Sequence, residues 1–246
     1  MTSAETAVLG RGSTNGTGVA MDKPPYVVLS CAMSLDGRID GTGPSRIVLS
    51  SIADLARVDT ERARSDVIMI GAGTLRRDNP RLRVSPGAAR RRAEAGLPAA
   101  PLPVVLSRSG DLPDDRALWD GPMRALVYCP PVSARPLRDR LGERAEVVPL
   151  TAGPQPWAVL ADLAERGMRR VLVEGGEQVH TAFLAAGLAS EIQLSVAPML
   201  IGAAGAPRFV RNAPFPCAGQ RLHLLDVRVL DDCVLLCYRM RAGAAA

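Results

Sequence analysis

Aromatic side chains make up 3% of this 246-residue chain, histidine occurs twice and lysine once, at Lys23, so twenty-nine of the thirty basic residues are arginine. So few aromatics leave little surface on which nucleic-acid bases could stack. The arginines are scattered or, at Arg90 to Arg92, lie in a Pro/Ala/Gly-rich stretch, so the net charge of +5 points to solvated faces and a few phosphate contacts, with no nucleic-acid partner. The five cysteines, at positions 31, 129, 217, 233 and 237, form no C-x-x-C pair, which argues against a disulfide framework and a zinc site and fits a cytoplasmic protein. His180 and His223 have no partner at ligand spacing, so no metal is expected. Apolar runs such as 67–72 and 194–201 fall short of the roughly 18 residues a membrane-spanning helix needs. Residues 1–24 lack the apolar core of a signal peptide and read as a disordered tail.

What is present is ordinary globular composition, 47% apolar and 22% charged. Short β-branched runs alternate with helical stretches, the rhythm of a largely parallel sheet covered on both faces. Strands are expected at Tyr26–Met33, Asp66–Ile70, Pro103–Ser107, Ala125–Cys129, Ala145–Pro149 and Arg170–Val173, and helices at 51–64, 133–141, 156–166 and 176–186. Ser51 with Asp54 resembles a capping box, and Gly142, Gly167 and Gly187 stand where left-handed residues close helices. Glu191–Ala197, Arg221–Leu230 and Cys233–Arg239 read as strands, the last two joined at Asp231-Asp232 into an antiparallel hairpin. Residues 80–102 and 198–220, rich in proline and without periodicity, read as long loops.

Chemistry is expected where strands end. Ile70-Gly71-Ala72-Gly73-Thr74-Leu75 leaves a strand and opens a short helix, a turn in which backbone N–H groups can approach a phosphate. Val173-Glu174-Gly175-Gly176-Glu177-Gln178 delivers an acid and a diglycine to the carboxyl end of a buried strand, where open α/β sheets collect ligands. Each turn alone also reads as a plain strand-to-helix connection. Ser34-Leu35-Asp36-Gly37-Arg38 and Ser107-Arg108-Ser109 close two further strands, the second offering a guanidinium to a phosphate. With no Ser-His-Asp or Cys-His constellation, the inventory points to a phosphorylated cofactor that carries the chemistry.

These segments, with Asp78-Asn79-Pro80-Arg81-Leu82 and Ala197-Pro198-Met199-Leu200-Ile201-Gly202, resemble the reductase domain of riboflavin biosynthesis over about 25–240. The resemblance implies an α/β, dihydrofolate-reductase-like domain at 25–241, NADPH as hydride donor and a homodimer. It implies reduction of 5-amino-6-(5-phosphoribosylamino)uracil to the ribitylamino product through a ring-opened imine. Ser45, Arg62, Arg83, Ser107 and Glu174 match substrate positions. Ala32, Asp36, Gly71, Gly73, Thr74, Asp78, Ser107, Gly175, Gly176, Glu177, Gln178 and Thr181 match cofactor positions, with Arg108 set against the 2′-phosphate. Asp78 and Glu174 are the candidate proton donors. The H-x-E and P-C-x-x-C pieces of the deaminase that accompanies this domain in bifunctional relatives are absent. Ser30, where many relatives carry Lys or Asn, and Ile47, where some carry an aromatic, are departures. They leave a pterin or a secondary-metabolism imine as alternative substrates, and a non-catalytic NADP- or nucleic-acid-binding module as an alternative of another class.

Overall fold

The computed structural model describes residues 24–240. The tail expected at 1–24 lies, but for its last residue, outside them. The chain runs β1 (Tyr26–Ser34), α1 (Ile52–Arg64), β2 (Val67–Gly71), α2 (Ala72–Asp78), α3 (Pro86–Glu94), β3 (Leu102–Leu106), β4 (Ala125–Cys129), α4 (Pro131–Leu141), β5 (Ala145–Pro149), α5 (Pro156–Glu165), β6 (Arg170–Val173), α6 (Glu177–Ala185), β7 (Glu191–Ala197), β8 (His223–Leu230) and β9 (Cys233–Arg239). The strands form one nine-stranded sheet in the order β5-β4-β3-β2-β6-β1-β7-β9-β8. β1 to β7 are mutually parallel, while β9 runs against both β7 and β8. The α/β class and the C-terminal hairpin are therefore as expected.

Continuous apolar strands such as Val67–Gly71 and Ala125–Cys129 are buried along their whole length because helices cover both faces. On one face Val27, Leu29, Met69, Val171 and Val173 meet α5 and α6 through Val159, Leu160, Leu163 and Phe183. On the other, Ile68, Ile70, Val105 and Val127 meet α2 and α4 through Leu75, Leu137 and Leu141. α1 covers this second face at β1 and β7, where Arg57 reaches Ser30 and Gln193. Ser51 caps α1 by accepting from Asp54 N at 3.1 Å, and Gly142, Gly167 and Gly187 all adopt positive φ after their helices.

One expected loop is corrected. Residues 80–102 contain α3, started by Ser85, whose hydroxyl accepts from Ala88 N at 3.3 Å, and by Pro86, whose fixed φ suits a first turn. α3 escaped notice because its inward face consists of Ala88 and Arg92 alone. Arg92 is buried by giving its guanidinium to the carbonyls of Ala63, Ser65 and Pro98, a pin invisible to any apolar pattern. Residues 198–220 do remain irregular. Asp36 holds their beginning by accepting from Ile201 N at 3.0 Å and Gly202 N at 2.9 Å.

Candidate active site

The carboxyl ends of β1, β2 and β6 open into a cavity of about 800 Å³, walled by α1, the 39–50 segment, the start of α2 and the start of α6. Both glycine turns stand on its edge and touch: Gly71 N donates to Gly175 O at 2.8 Å. A Cβ at Gly71 would meet Val179 Cγ2 at 2.8 Å, and one at Gly176 would meet Thr74 Oγ1 at 3.1 Å, so a side chain would displace one turn from the other. Gly175, at φ +126°, holds a conformation that other residues rarely adopt. Because α6 begins directly after Gly176, whose carbonyl accepts from Val179 N at 2.9 Å and His180 N at 3.1 Å, only the N–H groups of Glu177 and Gln178 are left at this junction without intrahelical partners.

Two acids border the cavity. Glu174 follows β6 and is gripped end-on by Arg62 of α1, with Nε to Oε1 and Nη2 to Oε2 both at 2.6 Å. Asp78 ends α2, 4.0 Å from the exposed Arg46. Burial pushes the Asp78 carboxyl above the ordinary carboxylate range, with Arg46 opposing and the negative charge of Asp40 adding to the rise. Asp40 itself pairs with Arg77, which also donates to the carbonyls of Gly41 and Gly43 and so fixes the 40–43 turn at the rim.

Of the residues expected from the sequence, Ala32, Arg62, Gly71, Gly73, Thr74, Asp78, Arg108, Glu174, Gly176, Glu177 and Gln178 line the cavity, and Gly175 meets Gly71 at its edge. Arg108 Nη2 donates to Gln178 Oε1 at 2.7 Å, which ties the turn after β3 to the start of α6. The other expected residues stand back from it. Ser107 is fully buried and its hydroxyl accepts from Gly110 N at 3.0 Å. Arg83 is exposed and donates to Asp120 O, and Ser45 lies on the outer surface beside Arg46. Asp36 is occupied with the 201–202 backbone, and Thr181 accepts from Arg211 N.

Several lining residues were not foreseen. Arg211, from the irregular 198–220 segment, borders the cavity while its Nε donates to Glu177 Oε2 at 2.5 Å. His180, wholly buried behind the diglycine, is neutral at neutral pH because burial pulls its pKa down to about 4. Asp54 and Arg57 form an ion pair on the inner side of α1. Of the capping box expected at Ser51 and Asp54 only the Ser51 half forms, because the Asp54 carboxylate turns inward to Arg57; charged residues at i and i+3 read as a solvent-facing pair.

Residues 25–236 match the family model described as the RibD C-terminal domain. Two curated relatives are named 2,5-diamino-6-ribosylamino-4(3H)-pyrimidinone 5′-phosphate reductase. The protein from Archaeoglobus fulgidus is 31% identical, covering 80% of this chain and 87% of its own. That from Methanothermobacter thermautotrophicus is 36% identical, covering 72% and 80%. Among solved structures, RibD of Acinetobacter baumannii superposes with a TM-score of 0.72 at 29% identity over 88% of this chain, which spans 58% of that one. The fold is thus the dihydrofolate-reductase-like one of RibD reductase domains.

Proposed function

The chain belongs to the RibD C-terminal domain family, and from this premise we propose that it is an NADPH-dependent reductase of a ribosylaminopyrimidine 5′-phosphate. The observation that carries the reading is the contact between two side-chain-free turns, Gly71 N to Gly175 O at 2.8 Å, on the same cavity as Asp78 and Glu174. Backbone kept bare at Gly71 and Gly176, beside the Glu177 and Gln178 N–H groups that open α6, suits a dinucleotide's diphosphate. Arg76, on α2, and Arg108, after β3, both line the cavity and suit the 2′-phosphate that distinguishes NADPH.

When bound, NADPH supplies the hydride, and the chain's own residues hold the acceptor in place and manage the proton. Positioning alone accounts for much of the rate in such a transfer. Asp78 is the better of the two acids to protonate an imine nitrogen, since burial favours its neutral form. Both Glu174 oxygens are already taken by Arg62, so that pair serves as a fixed ridge against which the substrate's sugar is oriented. Arg46, exposed beside Asp78, is the cation placed to meet the sugar phosphate among the described residues that line the cavity.

The name borne by the two archaeal relatives makes the 2,5-diaminopyrimidinone as good a substrate candidate as the uracil expected from the sequence. A homodimer is supported by the edge strand β8, whose Leu224, Val227 and Val229 are at least half exposed or nearly so, next to exposed Ile52 at the start of α1. Free cysteines fit a reducing cytoplasm. Purified protein given NADPH and each pyrimidine phosphate in turn is expected to consume NADPH with at least one of them. Tight NADPH binding without turnover of either would overturn the reading.

A further inference from the structure

The wall of the cavity on the β1/β7 side carries a carboxylate oxygen that the fold leaves unsatisfied. Asp54 is 0% exposed and borders the cavity. Its Oδ1 takes both Arg57 Nε, at 2.9 Å, and Nη2, at 2.8 Å, while Oδ2 has no hydrogen-bond partner among the described residues. Arg57 cannot swing to cover it, because Nη1 is held by Gln193 Oε1 at 2.7 Å and Ser30 Oγ at 3.1 Å. Ser30, on the same wall, accepts from Arg57 and so keeps its own O–H proton for another acceptor. A buried acceptor without a donor is costly, and a carboxylate oxygen so placed next to a cavity is matched by a ligand N–H.

Resting on the pyrimidine-reductase reading, we propose that Asp54 Oδ2 reads the substrate's ring and selects a 2-amino ring over a 2-oxo ring. In a 6-ribosylaminopyrimidine the carbon to be reduced lies on the arm at C6. The edge farthest from that arm is C2–N3–C4, which turns away from the glycine turns and toward β1 and β7. In the 2,5-diaminopyrimidinone this edge presents two adjacent donors, the 2-amino N–H and N3–H, which can converge on one carboxylate oxygen, while the C4 carbonyl accepts from Ser30. In the uracil, N3–H is flanked by two carbonyls, and the one at C2 faces the carboxylate oxygen with no hydrogen between them. Substituting an acceptor where the site presents an acceptor is the kind of mismatch that buried polar groups reject most strongly.

The test compares kcat/KM for the two ring phosphates at saturating NADPH in wild type and Asp54→Asn. Wild type is expected to prefer the 2-amino ring by roughly 10- to 100-fold, the range for a hydrogen bond to a charged group. In the variant, whose amide offers a donor as well as an acceptor, the preference is expected to fall to within about threefold. An unchanged ratio in the variant, or a wild type that favours the uracil, overturns the inference and leaves the reductase reading standing. A wild type that turns over neither ring overturns both. Because a buried charge is altered, competition binding of the two rings to the wild-type protein with oxidised cofactor gives a readout independent of the variant's folding. Equal or tighter binding of the uracil there also overturns the inference.

Discussion

α1 and α6 lie against opposite faces of one sheet and bury opposite chemistries. α6 turns Val179, His180, Phe183 and Leu184 inward, whereas α1 turns Asp54, Arg57 and Glu61 inward. The first stripe is part of a close-packed core, where stability comes from apolar area removed from water. The second bounds a cavity, and its charges are paired with partners fixed in space, Asp54 through one oxygen with Arg57 and Glu61 with Arg170 at 3.0 Å, while Arg62 beside them pairs with Glu174. A helix that buries ions spends stability on geometry, so the two helices should fail in different ways when disturbed.

The largest effects separate them directly. Arg57→Met leaves Asp54 buried without its counter-ion and is expected to cost about 3–5 kcal/mol in urea unfolding, a loss that Asp54→Leu in the same chain should largely recover. Phe183→Ala should cost a similar amount, about 3–5 kcal/mol, with no single partner substitution able to restore it. Next comes the one polar member of the α6 stripe. His180 is depressed to about 4 by burial, so the unfolded chain takes up a proton below its ordinary value of 6.5 before the folded one does. Stability is therefore complete above pH 6.5 and falls as the pH drops toward 4, by a few kcal/mol in all. Melting temperatures across that window should slope in wild type and flatten in His180→Asn.

On the cavity side the effects are kinetic. Asp78→Asn and Glu174→Gln should each lower kcat more than tenfold while leaving the circular-dichroism spectrum unchanged. With the Asp78 carboxyl raised, its protonated form is the active acid, so turnover should decline as pH rises through its titration, and that limb should vanish in Asp78→Asn. The smallest effect is expected at Arg108, where Ala should narrow the preference for NADPH over NADH several-fold without changing kcat. An unchanged ratio of the two KM values would assign the 2′-phosphate elsewhere, with Arg76 the next candidate.

The same contrast explains what could be read from the residues. The strands and α5 were legible because Val, Ile and Leu runs have one physical explanation, burial on both faces, and the glycines after α4, α5 and α6 mark chain reversals that other residues resist. The glycine turns and Glu174 were legible because a strand end, an acid and missing side chains occur together. α3 was not, since Arg92 is buried by donating to three carbonyls outside its own helix. Nor was the inward pair Asp54 and Arg57, because nothing local distinguishes a buried ion pair from a solvated one; the distinction is made by Ser30 and Gln193, far away in sequence. Ser107 shows the converse: its hydroxyl lies at the predicted strand end but turns inward to hold Gly110, where a side chain's direction, not its position, decides its use.

The irregular stretch after β7 is fastened at both flanks of the cavity's rim. Asp36 holds Ile201 and Gly202, Arg38 and Ile39 hold Ala206 and Pro207, and Glu177 holds Arg208 and Arg211. Its length between 201 and 211 is consequently fixed to the residue, like a strap buckled at successive holes. Beyond it Phe215 still packs on the core, so a reporter or affinity handle is best inserted at the exposed 218–220 turn, where extra residues leave the rim fastened.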